Sequence, residues 1–225
     1  MGMQFFKPYK GPKYDEGICG KKILVLGASF YCTLHECKFF EECTDYIKKD
    51  SGKFDTICPY YNKLEGNISL SDEPSNAIDN CIKVYKTFAK FMQQFINDED
   101  EYAAWERMAF TNYVQFFLPT TYTYQCYLSE RDFKAFCETL LELQPDVVIA
   151  WGVAITKEIR EKNPYVSKEE LDKLPENNYY VWRMGLPGVD HKITIINCYH
   201  PSSKSWREEE HQKLFMKHLK NVLYN

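Results

Sequence analysis

Four things are missing from this chain of 225 residues, and each absence narrows its class. No apolar run approaches the ~20 residues that a membrane-spanning helix needs. The opening stretch, "MGMQFFKPYKGPKYDEG", lacks the charged-then-apolar pattern of a secretory leader, so the expected location is cytoplasmic, with no membrane partner. Positive charge is not in excess either. Lys and Arg number 28 against 32 Asp and Glu, a formal net charge of −4. That excludes a strongly basic nucleic-acid coat and leaves room only for a local positive groove. There is also no internal repeat or low-complexity linker, so one domain, monomeric, is expected over residues 1–225.

What the chain does have is apolar and aromatic mass, at 44% and 16% of its residues, enough for a substantial core. It has nine cysteines, five of them at or before Cys58. In a reducing compartment such thiols are buried or bind metal rather than form disulfides.

The patterning alternates strand and helix. "KKILVLGAS" is a β-branched and leucine run that breaks at Gly27, as a central parallel strand does. Residues from about 30 to 75 show no sustained period and read as a long Cys-rich loop insertion, with one short helix near "HECKFFEECTDYIKK". Asp72 or Ser75 then caps a helix whose stripe is Ile78, Ile82, Tyr85, Phe88, Ala89 and Met92. "RMAFTNYVQFFLP" is a strand closed by Pro119. A helix capped by Ser129 follows, with Phe133, Phe136, Cys137, Leu140 and Leu141 as its inner face. "DVVIAWG" reads as a strand covered on both faces and "AITKEIREK" as the next helix. After a polar insertion come a last strand, "KITIINCY", and a long terminal helix from "SWREEEHQK". The sum is an α/β fold: a three-layer α/β/α sandwich with a mostly parallel sheet of about four strands, near residues 23–26, 109–115, 147–151 and 193–198. Its functional face is the carboxyl edge of those strands.

Four polar or glycine-bearing blocks fall on that edge in order: "GASFYC", "FTNYVQ", "AWG" and "NCYHPSS". Their collinear arrangement from Lys22 to Arg207 resembles the uracil-DNA glycosylase superfamily. That family places a glycine-led loop after the first strand, an asparagine in the second, a tryptophan-glycine pair after the third and a histidine-proline-serine loop after the last. The resemblance implies a sandwich of this fold that flips a nucleotide out of its strand and breaks its N-glycosidic bond. It implies that Asn112 reads the base edge, one amide supplying both donor and acceptor. It implies that His200 donates toward the base carbonyl as negative charge develops there. Gly27, Ala28, Phe30 and Tyr31 then line the base pocket, Tyr31 as an aromatic wall. Ser202 and Ser203 contact phosphate at the start of the terminal helix, and Lys204 and Arg207 add positive charge to the rim.

Ser29 stands where the family places a water-activating aspartate, so it holds a water without supplying a charge, and hydrolysis is expected to be slower or aimed at another substrate. Glu36, Asp72 or Glu73 could supply a carboxylate from elsewhere. Cys32 replaces a histidine of the family pattern. Lys204 stands where a leucine wedge is usual, which favours DNA or another nucleic acid that is single-stranded or already unpaired. Two functions stay open: a base-excision enzyme, and a module of the same fold that binds without cleaving.

Cys32, Cys37, Cys43 and Cys58 fall in the long insertion and could chelate one metal. Structural zinc is placed slightly ahead of an iron-sulfur cluster, since the loop needs only a clip. The spacing lacks a Cys-x-x-Cys knuckle, and the same residues could equally be thiols packed with Phe39, Phe40 and Tyr46. Cys19 is a spare ligand candidate. Cys81, Cys126, Cys137 and Cys198 read as core thiols. Trp206 either stacks on nucleotides or packs beneath its own loop.

Overall fold

The computed structural model describes residues 4, 7–31, 83–98, 100, 103–114, 117–118, 130–165 and 181–225. The chain is α/β. In order, its elements are β1 (Tyr9–Lys10), β2 (Ile23–Gly27), β3 (Phe30–Tyr31), α1 (Lys83–Met92), α2 (Ala103–Glu106), β4 (Met108–Asn112), β5 (Phe117–Leu118), α3 (Glu130–Leu143), β6 (Val147–Trp151), α4 (Val153–Lys162), β7 (Val181–Met184), β8 (Ile193–Cys198) and α5 (Glu209–Tyr224). Six strands form a mixed sheet in the order β1-β4-β2-β6-β8-β7, and β3 pairs with β5 as a separate small ribbon.

The inner four strands, β4, β2, β6 and β8, run parallel. They are the continuous apolar runs of the sequence, and β2, β4 and β6 are buried along their whole length. That is what a parallel strand covered on both faces requires. The sheet has six strands rather than about four because β1 and β7 close its edges in antiparallel sense. Neither edge carries a long apolar run. β1 is two residues long, and β7 shows only the alternation Trp182 in, Arg183 out, Met184 in. The second strand also ends sooner than expected, at Asn112, where its neighbour β2 ends in register at Gly27.

Alternation along the strands divides the interior into two cores. Ile23, Val25, Phe110, Val147, Ile149, Ile196 and Cys198 face α1, α2 and α5, which contribute Tyr85, Phe88, Met92, Trp105, Phe215 and Leu219. Leu24, Leu26, Ala109, Val148, Ala150 and Ile195 face α3 and α4, which contribute Phe136, Leu140, Ile155 and Ile159. Full burial of one such side chain stabilises by roughly 1.5–3 kcal/mol.

The helical stripe expected from residue 78 onward is present in α1, where Tyr85, Phe88, Ala89 and Met92 are buried. Ile78 and Ile82, the caps proposed at Asp72, Ser75 and Ser129, the short helix near residue 40 and the 30–75 insertion beyond Tyr31 lie outside the described residues. On α3 the inner face is Phe136, Leu140 and Leu143, whereas Leu141 is exposed. The stripe continues by three residues from Leu140, the helical step that keeps to one face. The terminal helix starts at Glu209, not at Ser205. A single 3-10 turn, Ser205–Arg207, precedes it. No helix among the described residues is long and apolar enough to cross a membrane.

Candidate functional site at the carboxyl edge of the sheet

Register brings the four sequence blocks into one row. Gly27 pairs with Asn112, Leu26 with Ala150, and Trp151 with Cys198, two residues before His200. Side chains two apart on a strand share a face. Asn112 therefore shares the face of Phe110, the α1 and α5 side of the sheet, and His200, two residues beyond the end of β8, meets Trp151 of that same core edge-on. At ~4.8 Å per strand, three spacings separate the β4 and β8 rows by about 14 Å. Gly27 and Trp151 occupy the interval.

Gly27 is needed where it stands. A Cβ built on it would collide with the Asn112 side-chain oxygen and lie 3.1 Å from the Phe110 ring, so only glycine lets the amide lie against the end of β2. Two backbone bonds tie the loops beyond together, from Tyr113 N to Gly27 O (2.9 Å) and from Val114 N to Ala28 O (3.0 Å). Asn112 is buried, at 4% exposure. Ser29 is half-buried, and its hydroxyl oxygen is fully enclosed with no hydrogen-bond partner among the described residues. Phe30 and Tyr31 form β3, which pairs in parallel with Phe117–Leu118 apart from the main sheet.

On the other side of the row, Trp151 packs in the aromatic core against Phe88 (5.1 Å between centroids) and Phe110 (5.6 Å). Its indole N–H is buried and makes no hydrogen bond among the described residues. Gly152 follows at φ 128°, a conformation that strains any other residue, and its N–H donates to Cys198 O (2.9 Å), locking the ends of β6 and β8.

The histidine loop is a tight turn. Ser203 N donates to His200 O (2.8 Å), and Pro201 is buried behind it. The Ser202 N–H donates to His200 Nδ1 (3.3 Å), and the Ser202 hydroxyl lies 2.7 Å from the same nitrogen. A backbone N–H can only donate, so Nδ1 must carry its lone pair, and the proton of the neutral ring sits on Nε2. Burial pushes the His200 pKa below the usual histidine value and keeps the ring neutral near pH 7. The loop thus presents a neutral N–H donor with a fixed tautomer.

Ser203 closes the loop on its far side. Its Oγ accepts the Trp206 N–H (3.1 Å) and caps the 3-10 turn. The terminal helix α5 starts beyond, with Glu208 at its N-cap and Glu209 and Glu210 in its first turn. Trp206 is buried at 2% exposure against Phe91 and Phe215, which makes it core and not a stacking platform.

A cavity of about 410 Å³ opens beside this loop. Ser202 and Arg207 line it as polar and cationic groups, together with Lys83, Thr87 and Gln212. Val84, Pro201 and Trp206 supply its apolar wall. His200, Asn112, Ser29, Ser203 and Lys204 do not line it, and Lys204 is exposed. Lys83, Thr87 and Gln212 were not legible as site residues. Their only sequence signal was polar positions bordering apolar ones on two amphipathic helices.

Cys32, Cys37, Cys43 and Cys58 lie outside the described residues, as do Glu36, Asp72, Glu73, Cys81 and Cys126. Cys198 is a buried strand thiol and Cys137 a half-buried helix thiol, and burial raises both pKa values, that of Cys137 to about 11. Cys19 is exposed, and among the described residues no group of three or more His, Cys, Asp or Glu side chains gathers around a metal-sized point. No family model matches this chain, and no curated protein matches it significantly.

Proposed function

We propose that this chain is a divergent member of the uracil-DNA glycosylase-like superfamily, a three-layer α/β/α sandwich that seats a nucleobase of single-stranded nucleic acid at the carboxyl edge of its sheet. The observation that carries the reading is the row of Asn112, Gly27, Trp151 and His200 on one face of that edge, with His200 held as a neutral Nε2–H donor. The Asn112 amide suits the donor and acceptor pattern of a base edge. The His200 donor suits a base carbonyl on which charge accumulates as the glycosidic C–N bond breaks and its electron pair leaves with the base. Water supplies hydroxide to the sugar carbon and a proton to the base, and the family resemblance assigns the holding of that water to Ser29.

Binding without cleavage is the second reading, and Ser29 favours it. Its enclosed hydroxyl adds no charge beneath a cationic sugar. Single-stranded oligonucleotides containing uracil, hypoxanthine or xanthine decide between the two when base release and binding are both scored. Release that falls on the order of a hundredfold in His200→Ala, with affinity retained, supports the enzyme. Binding with no release supports the module, and neither binding nor release overturns both. The same reading gives Cys32, Cys37, Cys43 and Cys58 the role of a structural zinc or iron-sulfur site. Elemental analysis below roughly a tenth of an equivalent, with structure intact, favours packed thiols instead.

A further inference from the structure

We infer that the cavity between α1 and the histidine loop seats the nucleotide flanking the one held at His200, with its phosphate shared by Lys83 and Arg207. The inference rests on the nucleic-acid reading above and extends it to a second element, α1, that none of the four sequence blocks contains.

Charge carries the first part. Lys10, Lys13, Lys134 and Lys213 each pair with a carboxylate. Among the described residues, Lys83 and Arg207 make no ion pair and no carboxylate lines their cavity. The nearest acidic run is partly engaged elsewhere, Glu208 with His211 (3.3 Å) and Glu209 with Lys213 (2.5 Å). Two cations from different elements, converging on one cavity, leave a positive potential that an anion neutralises.

Shape carries the second part. At about 410 Å³ the cavity falls within the ~300–1,000 Å³ of small-ligand sites. Val84 and Pro201, backed by the buried Trp206, give an apolar wall against which a sugar can lie, while Thr87 and Gln212 offer polar contacts beside it. An inorganic anion would leave that wall unused. Continuity carries the third part: Ser202 lines the cavity and also bonds the His200 ring, so one residue joins the two seats. A ligand spanning both is a chain of nucleotides rather than a single base.

The test is fluorescence anisotropy of the full chain with a labelled oligothymidylate of about eight nucleotides. Lys83→Gln with Arg207→Gln is expected to weaken binding by about tenfold or more at low salt. It should also flatten the log–log salt dependence by about 0.7 for each phosphate that is no longer neutralised. Thr87→Trp, which fills the cavity and leaves both charges, should weaken binding as well. Lys220→Gln, an exposed lysine of α5, should change affinity less than about twofold and controls for general charge. Lys83 and Arg207 are exposed, so the double variant should keep the wild-type melting curve. If the wild type binds and neither the double variant nor Thr87→Trp weakens it beyond the control, the cavity assignment is overturned and the nucleic-acid reading stands. Failure of the wild type to bind any oligonucleotide removes both.

Discussion

His200 stands edge-on to Trp151, with ring centroids 5.6 Å apart and planes at 81°. This contact joins the ends of the third and last inner strands, and it fixes the imidazole by packing on one side while Ser202 holds Nδ1 on the other. Trp151→Phe keeps an aromatic edge partner and deletes a buried N–H that has no partner among the described residues. Its stability in urea should therefore fall by no more than about 1.5 kcal/mol. Trp151→Ala should cost about 3–5 kcal/mol through the cavity it opens. Equal costs for the two would remove the packing argument.

The pH dependence of the histidine loop has a definite sign. Burial lowers the folded His200 pKa below its unfolded value of about 6.5, so the folded state binds fewer protons. The contribution is fully present above pH ~6.5 and is lost as pH falls below it toward the folded pKa. NMR titration should place the His200 midpoint below ~6.5, and the Nδ1 acceptor state should persist at about pH 7. A midpoint above ~6.5 would show a charged imidazole and end the neutral-donor assignment.

Gly27→Ala should act on ligand binding more than on fold. The added methyl collides with the Asn112 amide and crowds Phe110, so the amide must turn away from the position it holds against β2. Base or oligonucleotide affinity is expected to drop by about tenfold or more, with a loss of stability of about 1–3 kcal/mol from the overpacked contact. Unchanged affinity alongside a lower melting temperature would make the glycine purely structural.

Ser29→Asp separates a slow enzyme from a binder. An aspartate at this half-buried position restores charge beneath the sugar and should raise base release if hydrolysis is the function. Stability should fall in the same variant, because the site encloses the polar end of residue 29 without a partner among the described residues. No release from either the wild type or the Ser29→Asp variant, with oligonucleotide binding intact, would select the binding module.

The four inner strands and the amphipathic faces of α1, α3 and α5 were legible because each is a local property. A continuous apolar run or a three-to-four residue stripe needs no partner to be recognised. Local pattern also put the glycine, tryptophan and histidine at strand ends, but it ran the second strand past Asn112 to about residue 115. It could not reveal the edge strands, since β1 has two residues and β7 carries its signal in a single alternation. Nor could it place Trp206, whose burial depends on Phe91 and Phe215 arriving from two separate helices. Serine and glutamate near Ser203 to Glu210 look like one helix start in sequence. The structure inserts a 3-10 turn because the Ser203 hydroxyl caps Trp206 first. Sequence by itself determined which residues could do chemistry and in what order they occur. Only the tertiary structure decided that Asn112 and His200 share a face, that Nδ1 is the acceptor, and that Lys83 shares a cavity with Arg207. Those facts depend on strand register and on contacts between residues far apart in the chain, and no local pattern encodes either.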